Sequence, residues 1–492
     1  MEAASDAARL HELGYEQRLR RTLGLVDNVV VGIATISPVV GLYSVLQVGT
    51  SVLGPAWVWG LPVSLAGQCL LLTVYTRLAG RFPLAGQPYQ WTRRLVGPVY
   101  AWFTGWLAVC AYTVSNTTIA YLAAPWMLAL AGWAPTPETT VAVAALFVVV
   151  CAVANLRGIG MLRWLLNCGV AAELVAVLGV GLALLLVFRR QDFSLLGETL
   201  SARGAEGGFT VGAFLAVLAV AGWVFIGFDA CVAVAEETHG ASRNVPRALW
   251  WALLSVGTLV IMNAIAVSLA HPRPARVVTG RDRDPVGTAV VSAFGSWSAK
   301  PFSAVVLIAF FACGLAAQGL TARTLYSMAR DDVLPASRLL RLTNSRQAPG
   351  GAIAAVAAVS CAGLLLGLRA AAIGSLITFG SAVIYLVFLL IASAHLRAQL
   401  RAGPGGGRVP VARRVVVVTV LAVAWLAFEF VNIAWPRAIL AAPGAPWYQV
   451  WAAPLVTVLA VGTGALYLAA ARPQDKVRAL SAHHGSDPGS AP

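Results

Sequence analysis

Apolar runs of about 20 residues recur along this chain from one end to the other, and each is long enough to cross a bilayer as a helix. No other feature limits the possible folds as strongly. Of 492 residues, 59% are hydrophobic and 11% are charged, whereas a soluble globule carries roughly 25% charged residues. The expected fold class is an all-α membrane protein of about twelve transmembrane helices. The spans fall near residues 26–48, 55–78, 99–131, 139–155, 162–188, 211–235, 248–270, 301–328, 351–368, 371–394, 415–433 and 450–470. Both ends are polar and short, so no appended soluble catalytic domain is expected. The first run is too long for the core of a signal peptide, and no cleavage is expected.

The formal charge is +15. In a soluble protein that would suggest nucleic acid. Here the cations lie mostly in loops, and no basic aromatic surface on a soluble domain accompanies them, so nucleic acid is not expected as a partner. With the N-terminus inside, 24 of the 35 Lys and Arg residues fall in inner segments and ten in outer ones. The positive-inside rule therefore puts both termini in the cytoplasm of a multi-pass protein, expected at the cell membrane. The outer loop 271–300 runs against this bias, with five of the ten outer cations. Its second half, 285–297, is apolar and reads as a short helix along the outer surface. All seven cysteines lie in apolar runs without paired spacing. They read as small buried residues, neither disulfides nor metal ligands.

The inner loop 403–414 contains GPGGGR and reads as a hinge between ten spans and a final two. That division suggests a 5+5 inverted repeat with two extra C-terminal helices. The expected segments are 1–24 (cytoplasmic), 25–190 (spans one to five) and 209–397 (spans six to ten). They continue with 398–414 (linker), 415–471 (the last two spans) and 472–492 (cytoplasmic tail). Spans one and six would correspond, and both carry an interruption near mid-membrane. The first has Gly32-Ile33-Ala34-Thr35-Ile36-Ser37-Pro38. Pro38 removes a backbone donor, and the chain before a proline leaves the helical region. The sixth has Phe225-Ile226-Gly227-Phe228-Asp229. A single break reads as an ordinary proline kink; two at matching positions favour a binding site. Asp229 places a carboxylate in hydrocarbon, at a cost of about 2.5–3.5 kcal/mol on insertion scales, and is a functional candidate by default.

Three stretches then carry a family resemblance: GFDACVAVAEETHGASRNVPRAL at 227–249, ARTLYSMARDDVLP at 322–335 and FPLAGQPYQWTRRLVGPVYAWFTGW at 82–106. They resemble the sixth span and its loop, the end of the eighth span, and the second inner loop with the third span of the amino acid–polyamine–organocation transporters. The amino acid/choline branch is the nearest in pattern. The resemblance implies a central site between the broken first and sixth spans. Amides near Ala34, Thr35 and Ser37 would face an anionic group at a half-helix N-terminus. Carbonyls near Ile33 and at Phe225 to Gly227 would accept from an ammonium. Phe225 or Phe228 would close over the ligand and add a cation–π contact. Many amino-acid members carry two glycines in the first break, but this chain has only Gly32 there. The departure weakens the α-carboxylate cradle and keeps amines without that group in play.

Other residues have paired readings. Asp229 either binds a substrate cation or proton, or ties the opened helix to a neighbour. Glu173, in the fifth span, is either a protonatable coupling residue or a carboxyl kept neutral by burial. Thr321 is the second coupling candidate, for a proton or sodium ion. Glu236 and Glu237 sit at the inner end of the sixth span, where the helix dipole disfavours acids. Arg243, Arg247 and Arg330 are their candidate partners, in a cytoplasmic gate or a static anchor. Asn116 and Gln318 are candidate ligand contacts. Along with Thr117, Thr378, Ser381 and Tyr385, they could equally just bond neighbouring helices. Gly32 and Ala34 read first as close packing. No nucleophilic triad, metal cluster or phosphate loop is present, so no enzyme, metal or cofactor is expected. The expected function is a secondary active transporter of amino acids or related amines, working by alternating access with ion-coupled symport or exchange. The alternatives are an intramembrane ligand sensor and a membrane-embedded enzyme. The sequence does not set the oligomeric state.

Overall fold

The computed structural model describes residues 10–13, 15, 19, 21–199, 210–282, 284–368, 373–401, 412–440 and 446–475, with backbone alone at 373–379. The hinge at 403–411, most of both terminal segments and the Thr378 side chain lie outside these residues. Eleven helical stretches are long and apolar enough to span a membrane. The first of them, Leu25–Arg81, has 57 residues, or roughly 85 Å at 1.5 Å per residue, nearly three hydrocarbon cores. It therefore folds back on itself. The 3₁₀ turn Gly54–Trp59 separates one crossing from the return helix Gly60–Arg81. The described residues thus make twelve crossings, the number the hydropathy predicts.

Local chemistry fixes the remaining boundaries. The third span, Pro98–Ala131, and the fourth, Pro137–Leu156, each open on proline, where the missing N–H costs nothing. Thr136 adds a cap by accepting from the Thr139 amide at 3.2 Å. The seventh span starts earlier than expected, at Ala241, so that Pro246 lies inside it. The proline falls in the second turn, where few intrahelical bonds are yet in place to be lost. The second inner loop contains a helix the sequence reading did not separate, Gln87–Leu95. The outer loop carries the helix Pro285–Phe294, capped by Asp284 through the Gly287 amide, followed by the turn Ser296–Ser298.

The third and eighth spans, equivalent under a five-helix repeat, pack along each other more extensively than any other pair of elements. The eighth runs from Ala299 to Arg330. The two broken spans lie among these long helices, and the seventh covers the inner half of the first and the length of the second. Exposed Leu182, Val359, Val420 and Val458 face outward, as lipid contact requires. The cysteines depart in part from the expected burial: Cys151, Cys231 and Cys313 are buried, Cys69, Cys110 and Cys361 are half-buried, and Cys168 is exposed on the fifth span. All seven are free.

Candidate functional site

The first span consists of an inner helix, Leu25–Ile36, and an outer helix, Pro38–Leu53, joined by Ser37 at φ +48°. A non-glycine residue in that region is uncommon and must be held in place. Here the Ser37 amide donates to the Ile33 carbonyl at 2.8 Å, and its hydroxyl accepts from the Val40 amide and donates to Glu173. The break is one residue wide. It does not expose the groups expected of it, because the Ile33 carbonyl and the Ser37 amide satisfy each other, and Ala34 and Thr35 remain within the inner helix.

The amides released by the break belong to the start of the outer helix; Glu173 accepts from that of Val39 and the Ser37 hydroxyl from that of Val40. Glu173 Oε1 accepts from the Val39 amide at 3.0 Å and from the Ser37 hydroxyl. A carboxylate thus sits at the electropositive end of a half-helix. Glu173 is fully buried, and its Oε2 has no hydrogen-bond partner among the described residues. A π-helical turn, Val175–Val180, follows Glu173 directly. Such turns free a carbonyl, and here the Asn263 amide of the seventh span donates to that of Val177 at 3.0 Å.

The sixth span opens further. Its outer helix, Val211–Ala221, tightens into the 3₁₀ turn Gly222–Phe225. Ile226 is then extended, Gly227 takes φ +116°, and helix resumes only at Ala230–Ala233. A Cβ on Gly227 would lie 2.9 Å from the Thr35 carbonyl oxygen and 3.1 Å from the Ile36 nitrogen. The two breaks therefore meet backbone to backbone, which only glycine permits. The Gly227 carbonyl, expected to be free, accepts from the Ala230 amide at 3.1 Å.

A cavity lies at this junction. Its wall is mostly apolar, with Ile36, Trp223, Ile226 and Leu320 prominent. Asp229 is its one carboxylate. Asp229 Oδ2 accepts from the Tyr112 hydroxyl and from Gln87 Nε2 at 3.2 Å. Its Oδ1 has no partner among the described residues, although the side chain is fully buried. Each sequence reading of Asp229 thus has an oxygen to carry it: one ties the opened helix to the third span and the inner loop helix, and the other is left over.

Of the candidate ligand contacts, Thr35, Gly227 and Asp229 line the cavity. Ile33, Ala34 and Ser37 are buried off its wall. Phe225 is buried elsewhere, and Phe228 packs between Tyr75 and Phe388 with ring centroids 5.2 and 5.7 Å away. The aromatic residues at the cavity are Tyr112 and Trp223, which the sequence did not single out. Asn116 donates instead to Ser360 of the ninth span at 3.0 Å. Gln318 joins Asn155 and the Val148 carbonyl of the fourth span, and Thr321 bonds Ala317 of its own helix. These are the helix-to-helix bonds of the plainer reading.

One to two turns inward of the cavity wall lies an ionic layer. Glu237 receives two bonds from Arg323, at 2.7 and 2.9 Å, and Glu236 pairs with Arg330 at 3.2 Å. Arg243 and Arg247, the nearer candidates in sequence, are exposed on the first turns of the seventh span. Arg323 fills the role assigned to them. Burial pushes the Glu237 carboxyl above its ordinary range even with Arg323 beside it. The N-terminal segment covers this layer. The Thr22 and Leu23 amides donate to the Glu237 carbonyl, and the Tyr15 hydroxyl bonds Gln90 and Asp331 while its ring lies 3.9 Å from the Arg330 guanidinium.

A family model described as amino acid permease matches residues 23–461. The amino-acid permease BAT1 of Arabidopsis thaliana is 23% identical over 435 residues, covering 81% of this chain and 83% of its own. A rice homolog of BAT1 is 24% identical, covering 76% of each chain. The low-affinity putrescine importer PlaP of Escherichia coli is 24% identical, over 65% of this chain and 69% of its own. These matches support neither a sensor nor an enzyme. With twelve membrane crossings, two of them broken around a buried cavity, the chain belongs to the amino acid permease family of the amino acid–polyamine–organocation superfamily and is a multi-pass membrane transporter.

Proposed function

We propose that this permease carries a small organic amine, with a cationic nitrogen and an apolar body, across the cell membrane by alternating access. One observation carries the proposal. The cavity offers an unpartnered carboxylate oxygen on Asp229, while the half-helix amides that would receive a substrate carboxylate are already taken, that of Val39 by Glu173 and that of Val40 by the Ser37 hydroxyl. An ammonium donates to Asp229 Oδ1, and Tyr112 and Trp223 supply ring faces for its charge. The apolar remainder of the wall suits an alkyl or aryl body. The name of the relative PlaP, a putrescine importer, accords with an amine, and that of BAT1 with an amino acid.

Glu173 is the coupling site in this reading, and a proton is the ion. Ser37 and Val39 hold its Oε1, so protonation at Oε2 would weaken the tie between the fifth span and the first-span break. Both termini face the cytoplasm, in keeping with the loop charges.

The test is a thermal-stabilisation panel on purified protein, pairing each amino acid with its decarboxylated amine, followed by uptake into proteoliposomes. Amines should stabilise more than the parent amino acids, because a ligand raises apparent stability by mass action. Asp229→Asn should weaken amine binding by about 2–5 kcal/mol, as when one partner of a buried charge pair is lost. Tighter binding of the amino acids, or unchanged amine affinity in Asp229→Asn, would reject the proposal.

A further inference from the structure

Away from the cavity, a second group of buried polar atoms lies between the second, sixth, tenth and eleventh spans. Ser64 and Gln68 are one turn apart on the second span, and Trp425 and Glu429 one turn apart on the eleventh, Arg413–Ala434. The two helices touch closely here, since a Cβ on Gly67 would fall 1.9 Å from the Trp425 ring. Ser64, Gln68 and Glu429 are fully buried. Ser64 Oγ, Gln68 Oε1, Trp425 Nε1 and Glu429 Oε1 all lack a hydrogen-bond partner among the described residues. Buried polar groups are normally bonded, so several unmatched atoms in one place call for an explanation.

The cluster is connected in two directions. Toward the outer surface, Asn432 Nδ2 reaches Glu429 Oε2 at 3.4 Å, and Arg437, just beyond the end of the span, donates to Asn432 Oδ1 at 2.5 Å. Toward the centre, Gln68 Nε2 donates to the Tyr385 hydroxyl at 2.6 Å, and Tyr385 donates to the Gly222 carbonyl at 3.3 Å. Gly222 opens the tight turn that leads into the sixth-span break.

We propose that Glu429 is a second proton-binding site, reached from the outer face through Arg437 and Asn432, whose occupancy is transmitted to the sixth-span break through Gln68 and Tyr385. The donor and acceptor inventory carries this. Ionised, Glu429 can only accept, and the unused donors are the Trp425 N–H and the Ser64 hydroxyl. Protonated at Oε1, it becomes a donor, and Gln68 Oε1 is the unused acceptor. The cluster therefore contains a partner for each state, and one proton decides whether Gln68 is pulled toward Glu429 or left with Tyr385. The proton comes from the outer aqueous phase and returns to it, so no net transfer across the membrane is involved.

The charged and titratable groups around Glu429 are few. Tyr385 faces it from the tenth span, and Arg437 from the end of its own span. The second span presents Ser64 and Gln68, the sixth presents backbone through the Leu215 carbonyl bonded by Asn432, and the twelfth, Ala452–Ala471, contains no charged residue. Among the described residues, no cation contacts the carboxylate directly. An unpaired charge at this depth is costly enough for the neutral form to compete.

The inference rests on the chain being a transporter of this family and not on the amine proposal. Its test therefore needs no substrate. Infrared difference spectra of the purified protein in nanodiscs, recorded across a pH titration, should contain a titrating protonated-carboxyl band. In a Glu173→Gln/Asp229→Asn background, which removes the other two buried core carboxyls, adding Glu429→Gln should abolish it. Amide protection factors over residues 222–233, corrected for the intrinsic pH dependence of exchange, should change with pH in the unmodified protein and become pH-independent in Glu429→Gln. Tyr385→Phe should keep the band yet lose the exchange response, and it guards against a Glu429 variant that fails to fold. A band that survives Glu429→Gln in the Glu173→Gln/Asp229→Asn background would overturn the proposal. So would protection factors at 222–233 that do not respond to pH in the unmodified protein, or that respond equally in folded Tyr385→Phe.

Discussion

Gly227→Ala adds one methyl group where the two broken spans touch, and the structure sets its cost. The backbone there has φ +116°, which an L side chain rarely adopts. Strain of that kind costs on the order of 1–3 kcal/mol. The new Cβ would also lie 2.9 Å from the Thr35 carbonyl oxygen and 3.0 Å from its carbon. Both are backbone atoms of the first span, so no flexible side chain can move aside. Overpacking a tight contact adds about 1–3 kcal/mol. The total, roughly 2–6 kcal/mol, is relieved either by unfolding or by separating the two breaks. Thermal unfolding in detergent measures the first outcome, and ligand-induced stabilisation measures the second. Gly212→Ala is the control: it lies in the outer helix of the same span, with nothing within 4 Å of the added Cβ. It should be neutral or stabilising by up to about 1 kcal/mol. If Gly227→Ala unfolded and bound ligand like the unmodified protein, the backbone contact between the breaks could not be what shapes the site.

Arg323→Gln should destabilise by about 3–5 kcal/mol in thermal unfolding, because it leaves Glu237 buried without its cation. Adding Glu237→Gln should recover most of that loss. Glu173→Gln should fold normally, since an amide oxygen can still accept from Ser37 and Val39. In proteoliposomes it should lose pH-driven accumulation while keeping exchange, and unchanged accumulation would remove Glu173 from the coupling role. On the outer face, burial holds the His271 imidazole below its ordinary value of 6.5 despite its bond to Asp282 at 3.0 Å. A depressed value in the folded state means stability that is present above 6.5 and lost as the pH falls through the folded value. Amide protection factors in the 271–282 segment, corrected for the intrinsic pH dependence of exchange, should therefore fall on acidification, and His271→Gln should abolish that fall.

How much of this was legible in the sequence depended on the kind of signal involved. Pro38 and Gly227 restrict or release the backbone whatever surrounds them, so both breaks could be located from composition alone. Which side chains face the cavity could not. On a soluble helix, the polar face gives the orientation away. In a bilayer the outward face is apolar too, so a helix such as the third span has little periodicity from which to read its rotation. Nothing in its sequence separates Tyr112 and Ser115 from Asn116 and Thr117. A rotation of 100° per residue separates Ser115, at the cavity, from Asn116, bonded to the ninth span. Arg330, a sequence candidate, does pair with Glu236, but the partner of Glu237 was missed for a related reason. Arg243 and Arg247 are near in sequence but lie on exposed turns, whereas Arg323 reaches Glu237 only because the eighth span passes beside the sixth-span break.

Two features that looked separate in the sequence prove to be one device. The first break has a single glycine, and the fifth span has a buried acid. With few glycines the first span opens by one residue, at Ser37, and frees only the amides at the start of its outer helix. Those amides are buried and must be satisfied. Glu173 satisfies one through Oε1 and, by way of the Ser37 hydroxyl, supports a second. A ligand carboxylate approaching this half-helix would have to displace Glu173, leaving an ionised side chain buried without its donors, or find it already protonated. In the proposed reading, the missing glycine and the acid thus bias the site together, away from a ligand's carboxylate and toward its ammonium, with Asp229 Oδ1 as the acceptor still open among the described residues.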